Sequence, residues 1–391
     1  MILHVGIVAM RINVPVLVSV IATPVPGVAL DAVQEETVLR ADPSPPYEIE
    51  FAPGPVFTSD GLDDPYWVSD VGDLDLLSDG RLAIAEFFSD RILVTSIMEG
   101  ETQWVGRRGE GPGEYRYIRW VRADGDRLHV FDLINMRRTV LTAGFEVEHT
   151  NPLQFVDFGL GLATLGDSAY VMNGVIPSPE RVGYALHLFD GEGKVVRSFD
   201  EMRGGYGLAG AVPGPHRSLA VSRDGGVWSA SVSEYRIDLW DPGTGDRRRS
   251  LVREVDWFPA HDGRWSLTPD QPRPPRIGGV KEDEEGWLWV LIHVASEHWE
   301  ECLEATPPGA PAEVGEYRWR EDCRGHDSRL EVLDPETGRV MAARTVPRSI
   351  VFVLAGRNMV SLEYDAPGFP VLQFWHAELR ATGTTGGGGQ C

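Results

Sequence analysis

The residues best suited to chemistry sit in one short run, GRRGEGPGEY (106–115), which holds Arg107, Arg108, Glu110 and Glu114 among four glycines and a proline. Two adjacent guanidinium groups present planar forks of donors that match a carboxylate or a phosphate. The two glutamates support the opposite reading: the arginines pair within the loop or lie solvated, and the glycines set backbone geometry. A dinucleotide fingerprint needs Gly-x-Gly-x-x-Gly opening a helix, but Pro112 interrupts this run, and YRYIRWV (115–121) alternates like a strand. No Gly-Lys-Ser/Thr is present, so a nucleotide phosphate loop is not expected.

Other chemistry-bearing residues are scattered. HVASEHWEEC (293–302) contains His293 and His298 with Glu297, Glu300 and Glu301. Five-residue spacing does not place two imidazoles on one helical face, so neither a metal nor another cofactor is expected. There is no Gly-x-Ser-x-Gly elbow, so an α/β-hydrolase arrangement has no support. Trp257, Phe258, Trp265, Trp287, Trp289, Trp299 and Trp319 crowd one region. Packing explains most of them, while Trp299 and Trp319, in a long polar insertion, suit a carbohydrate or peptide platform. Cys302 and Cys323 fall in the same insertion and are expected to pair in an oxidising compartment. A bridge closing a loop of about 20 residues contributes roughly 3 kcal/mol in the chain-entropy model. Two unrelated thiols are the alternative, and Cys391 is the odd cysteine.

The elements that must position these groups are β-strands. The chain has 391 residues, 42% of them hydrophobic, with 44 glycines and 28 prolines. Turn formers are abundant and long helical periodicity is absent, so an all-β fold is expected. A formal net charge of −23 argues against nucleic acid as a partner. Arg11, the apolar stretch 12–22 and the small residues that follow read as a secretory signal over 1–32, too short to span a bilayer. Met10 offers an alternative start. Export to the periplasm or beyond is therefore expected, with no transmembrane span and, since no cysteine follows the segment, no lipid anchor. Residues 33–46 read as a Pro-rich linker, and 380–391 as a disordered Gly/Thr-rich tail.

A repeat runs through the rest. Units begin near residues 74, 120, 162, 218, 278 and 350, each reading strand, tight turn, strand, connection, strand, tight turn, strand. The turns DGEG (190–193), DPGTG (241–245) and DPETG (334–338) occupy equivalent places, each with a local Asp acceptor and a Gly able to take positive φ. Four-stranded units of this size predict a six-bladed β-propeller over 47–379; a pair of β-sandwiches is the alternative. The sixth unit has three strands, and the missing outer strand is expected from YEIEFA (47–52), which closes the ring and removes an exposed edge. A monomer is the expected state.

VGRRGEGPGEY (105–115) resembles the Gly-Arg-x-Gly-x-Gly-Pro-Gly-Glu-aromatic motif of six-bladed β-propellers among bacterial exported proteins, relatives of the NHL-repeat propellers. The resemblance covers nearly the whole chain beyond the leader, and it implies fold and export rather than chemistry. His216, in GPHRSLAVSRDGGVW, is similar to the histidine-bearing turns that some propeller lyases place around their axis. Equivalent turns at 73–77 and 279–281 carry no histidine, which weakens that likeness.

In this register the 106–115 loop crosses from the outer strand of blade one to the inner strand of blade two. It shares a face with the connections between second and third strands, including 173–183 and the insertion at 295–328. Function on a propeller concentrates in such loops. The expectation is a ligand or protein partner bound on this face, with Arg107, Arg108, Glu110, Glu114, His216, Trp299 and Trp319 as candidate contacts. The competing expectations are a metal-assisted lyase or hydrolase near the axis, or a purely structural module without a pocket.

Overall fold

A computed structural model describes residues 36–38, 45–58, 71–86, 90–96, 102–154, 157–202, 216–261, 267–307, 316–320, 323–365 and 368–382. The expected leader, Cys391 and Trp265 lie outside the described residues.

Six antiparallel sheets form from consecutive stretches of chain. Blade one is Val71–Leu76, Arg81–Glu86, Arg91–Ser96 and Gln103–Val105. Blade two is Ile118–Asp124, Arg127–Asp132, Arg137–Leu141 and Val147–Pro152. Blade three is Asp157–Thr164, Ala169–Val175, Tyr184–Asp190 and Val195–Glu201. Blade four is Arg217–Val221, Val227–Ser231, Arg236–Trp240 and Arg247–Val252. Blade five is Arg276–Glu282, Leu288–Ala295, His326–Asp334 and Arg339–Val346. Blade six is Ile350–Val353, Asn358–Tyr364 and Pro370–Ala381, completed by Tyr47–Thr58.

The core is divided among the blade interfaces. One cluster joins Ala83, Val94 and Tyr115 to Val121 and Val130 between blades one and two. Trp120 and Phe131 meet Tyr170 and Phe189 between blades two and three. Corresponding clusters lie between blades three and four, four and five, and five and six. The last sets Leu74, Ile84 and Leu93 of blade one against Val360, Leu372 and Phe374 of blade six. The ring is therefore closed, and blades two and five stand opposite one another. No blade can bury its two faces alone, so the strands read as near-continuous apolar runs: Leu82, Ala83, Ile84 and Ala85 are all fully buried.

The repeated turns form as their chemistry requires. Asp190 Oδ1 accepts the amides of Glu192 and Lys194, Asp241 Oδ1 those of Gly243 and Thr244, and Asp334 Oδ1 those of Glu336 and Thr337. Gly193, Gly245 and Gly338 follow at φ +81°, +79° and +67°, where a side chain is strained.

Ring closure follows the expected plan. Tyr47 pairs with Ala381 and Ile49 with Leu379 in an antiparallel ladder that continues to Thr58 and Val371. The ladder carries the last strand to Ala381, two residues beyond the expected boundary, because the closing strand begins at Tyr47. A second difference lies in the expected linker. Glu36–Val38 adds to the outer edge of blade four in parallel with Ser250, Leu251 and Val252. That short strand covers an edge the four-strand repeat leaves open.

Candidate functional site

The 106–115 loop is folded around its own carboxylate. Arg107 and Arg108 pair in parallel with Glu114 and Tyr115. Arg107 reaches Glu114 Oε1 with two nitrogens, at 2.9 and 2.7 Å. The other oxygen, Oε2, accepts the amides of Glu110 and Gly111 at 3.0 and 2.8 Å. The Gly111 amide first, and then the Arg107 guanidinium, hold the Glu114 carboxyl below its ordinary range. From blade two, Arg137 donates to the carbonyls of Glu110, Gly111 and Glu114, and Asn135 Nδ2 donates to that of Gly109 at 2.8 Å. Tyr115 is fully buried beneath, and a Cβ at Gly106 would stand 2.4 Å from its ring.

The arginines expected to greet a ligand thus already hold partners. Arg107 is bound to Glu114, and Arg108, with its side chain 76% exposed, lies 3.5 Å from Asp90. Glu110 pairs with Arg116 at 2.9 Å rather than with either of them. The geometry corresponds to the architectural reading of the loop.

The insertion in blade five holds the expected disulfide, Cys302–Cys323, with Cα atoms 5.2 Å apart. A 3₁₀ turn, Trp299–Cys302, leads into a hairpin of Leu303–Ala305 and Tyr317–Trp319. Trp299 is 7% exposed, so its ring packs inward instead of forming an open platform, and the face of Trp319 lies over Gly325. Trp319 itself is half-buried in the second strand of that hairpin. His216 precedes the inner strand of blade four, and its backbone carbonyl accepts the Val232 amide at 3.2 Å. The three groups—loop, insertion and His216—stand on different blades and are not brought into one constellation.

The structure gathers a different set of residues at the axis. A cavity of about 400 Å³ is walled by the inner strands of all six blades. Asp73 and Asp75 from blade one, Arg119 and Arg122 from blade two, Arg276, Lys281 and His293 from blade five supply its charged and titratable groups. The two carboxylates serve the blade interface: Asp73 accepts the Val121 amide and the Arg122 guanidinium, and Asp75 accepts the Ala123 amide. Burial raises the Asp73 carboxyl against the lowering effect of Arg122. His293 is pushed down to about 3, by burial first and then by Arg276. Its Nε2 must carry the proton, since it donates to the Ile350 carbonyl at 2.8 Å, so Nδ1 accepts from Arg276 Nε at 3.3 Å. Arg119 lies over the Trp120 ring at 5.4 Å.

Of this set only His293 stood out in the sequence, because the members lie two or three to a blade and are spread over some 220 positions between Asp73 and His293. The available signal was charge in the inner strand of a repeat: a strand that lines an axis has no other reason to carry Arg119, Arg276 and Lys281.

A second cleft, about 610 Å³, lies on the opposite face between blades four and five, lined by Trp228, Arg249, Glu282, Glu285, Trp287 and Glu336. Its charges are largely matched within it, Arg249 with Glu336 and the Trp228 indole with Glu282. Among the described residues, no three His, Cys, Asp or Glu side chains come together in a way that could hold a metal. No described helix is long and apolar enough to cross a membrane.

No protein-family model and no curated protein sequence matches the chain. Solved structures do match it in fold. A protein of Bacteroides fragilis designated as exported aligns over 89% of this chain and 100% of its own, with TM-score 0.54 and 12% identity. A member of the DUF4221 family from Bacteroides vulgatus aligns over 86% and 99%, with TM-score 0.58 and 11% identity. At such identities the likeness is one of architecture.

Proposed function

We propose that this chain is an exported, monomeric six-bladed propeller that binds a ligand in its axial cavity, reached from the face that carries the interblade loops. The observation that carries the reading is the cavity itself, to which every inner strand contributes and which brings charged side chains from three blades together. About 400 Å³ lies within the range of small-molecule sites, and convergent polar groups in a concave wall are what such sites require. Export is supported by the leader-like sequence, the Cys302–Cys323 bridge and the company of a structural neighbour designated as exported. The metal-assisted lyase or hydrolase reading has no assembled donor set to rest on among the described residues.

Hydrogen exchange of the exported protein, with and without the small-molecule fraction of its culture medium, tests the reading. Slower exchange at the first residues of the inner strands is expected. Protection confined to the opposite face, around the Asp241 and Asp334 turns, or no protection at all, would overturn it. Cell fractionation with N-terminal sequencing tests export: a cytoplasmic chain that keeps its first 32 residues would end that part.

A further inference from the structure

We propose that the axial cavity is a site for a compact dianion, held between Arg119 of blade two and Arg276 of blade five. This rests on the ligand-binding reading above and narrows it to one pair of residues and one ligand class.

Position comes first. Blades two and five face each other across the closed ring. Arg119 is the second residue of its inner strand and Arg276 the first of its own. All inner strands run in the same direction, so both guanidinium groups stand near one end of the axis, the end bearing the interblade loops. They reach the cavity from opposite walls, an arrangement suited to a ligand with negative charge on both sides.

Availability comes second. Every carboxylate lining the cavity is occupied by blade two, as described for Asp73 and Asp75. Arg119 has a ring contact but no carboxylate partner among the described residues. Arg276 gives its Nε proton to His293, which leaves both terminal nitrogens for a ligand. The neutral His293, anchored on the Ile350 carbonyl, acts as a positioning residue that aims this fork. Lys281 adds a third cation deeper along the same strand, its ammonium hydrogen-bonded to no described residue. A bulge at Gly278, where Ile277 pairs with Ile292 and Gly279 with Leu291, sets the facing of this strand. Ile277 and Val280 both enter the core shared with blade four, and the same offset puts Arg276 and Lys281 together on the other side.

Electrostatics comes third. Burial lowers the Arg276 guanidinium, with no carboxylate to offset it, and lowers the Lys281 ammonium despite the nearby Asp75. Desolvated cations without a counter-charge are costly, and a bound anion removes that cost. The chain as a whole is strongly acidic, at a formal −23, so a cavity with an excess of cations is a local reversal of the protein's field. Dicarboxylates and phosphates share the chemistry required, two units of negative charge on oxygens that accept from guanidinium forks.

Calorimetric titration of the full exported chain with succinate, and separately with inorganic phosphate, tests the assignment at constant ionic strength with chloride as the control. Saturable one-to-one binding of at least one of the two is expected. R119Q and R276Q are each expected to weaken it by roughly tenfold or more, the usual effect of losing a hydrogen bond between charged groups. R276K, which keeps charge but loses the fork, should fall between. If R276Q does not fold, R119Q alone reads the same site. No binding of either anion above the chloride control, or affinity unchanged in R119Q and R276Q, would overturn the proposal. If exchange protection by the medium fraction persists in that event, the ligand-binding reading stands and only the anion assignment falls.

Discussion

Arg107 and Glu114 meet at 2.7 Å within the interblade loop, and the second oxygen of the same carboxylate holds the amides of Glu110 and Gly111. One side chain therefore fixes both the start and the turn of the most motif-like segment in the chain.

Replacing Glu114 with Gln keeps the shape but removes the charge that three donors share. E114Q is expected to lower the melting temperature and to open residues 106–115 to proteolysis, while R108Q leaves both unchanged. Gly106 offers a sharper version. At φ +80°, with a Cβ 2.4 Å from the buried Tyr115 ring, G106A is expected to destabilise by roughly 2 kcal/mol or more, read by chemical denaturation. Unchanged stability in G106A would mean that the loop is not seated on Tyr115.

Between blades four and five, Glu331 is fully buried and accepts from the Tyr235 hydroxyl at 2.7 Å, from Arg253 and from Arg329. Removing its charge leaves the Arg253 guanidinium, 4% exposed, without its counter-charge. E331Q is expected to cost about 3 kcal/mol, the usual consequence of breaking a buried pair from one side. Y235F, which removes one neutral donor, should cost about 1 kcal/mol. Equal losses in the two variants would show that the network is not held by charge.

Among the described residues, buried His129, His187 and His293 and half-buried His326 are held in their neutral form. His129 and His293 are pushed down to about 3, His187 and His326 to about 4, in each case by burial first. An unfolded histidine titrates near 6.5, so below that pH the unfolded chain binds protons that the native chain refuses. Their contribution is intact above about pH 6.5 and is lost progressively as pH falls toward 3 to 4. Urea midpoints measured at pH 7.5, 6, 5 and 4.5 are expected to decline across that window. His187, held by Ser198 at 2.8 Å and the Gly174 carbonyl at 3.1 Å, isolates one proton: H187Q should be less stable at pH 7.5 and show a shallower decline. An identical slope in H187Q would remove His187 from the account.

Tyr47–Thr58 reaches its blade from the other end of the chain. A chain beginning after residue 58 leaves the Pro370–Ala381 strand with a free edge of twelve residues. Self-association beyond that of the full chain, read by light scattering, is expected through edge-to-edge pairing. A stable monomer of that truncated chain would show that closure is not needed.

The residues that were legible from sequence were the ones whose roles are local. An Asp followed by a Gly at turn spacing builds its own hairpin wherever it lies, and so the turns at Asp190, Asp241 and Asp334 marked the blades. Alternation in YEIEFA sufficed to assign a closing strand. The loop motif was visible but its chemistry was not, because whether Arg107 meets a ligand or Glu114 depends on how the backbone between them turns. Trp299 shows the same limit: exposure of an indole is decided by what packs over it, and this one is 7% exposed.

By itself the sequence determined the blade count, the turn chemistry, the cysteine pair and the ring closure, since each rests on residues near one another in the chain or on a repeat. Only the tertiary structure decided which side chains share the axis. Arg119 and Arg276 are 157 residues apart in sequence, and each is unremarked in its own strand. They become neighbours of one cavity because six sheets, each needing another to cover its faces, close into a ring that sets their blades opposite one another.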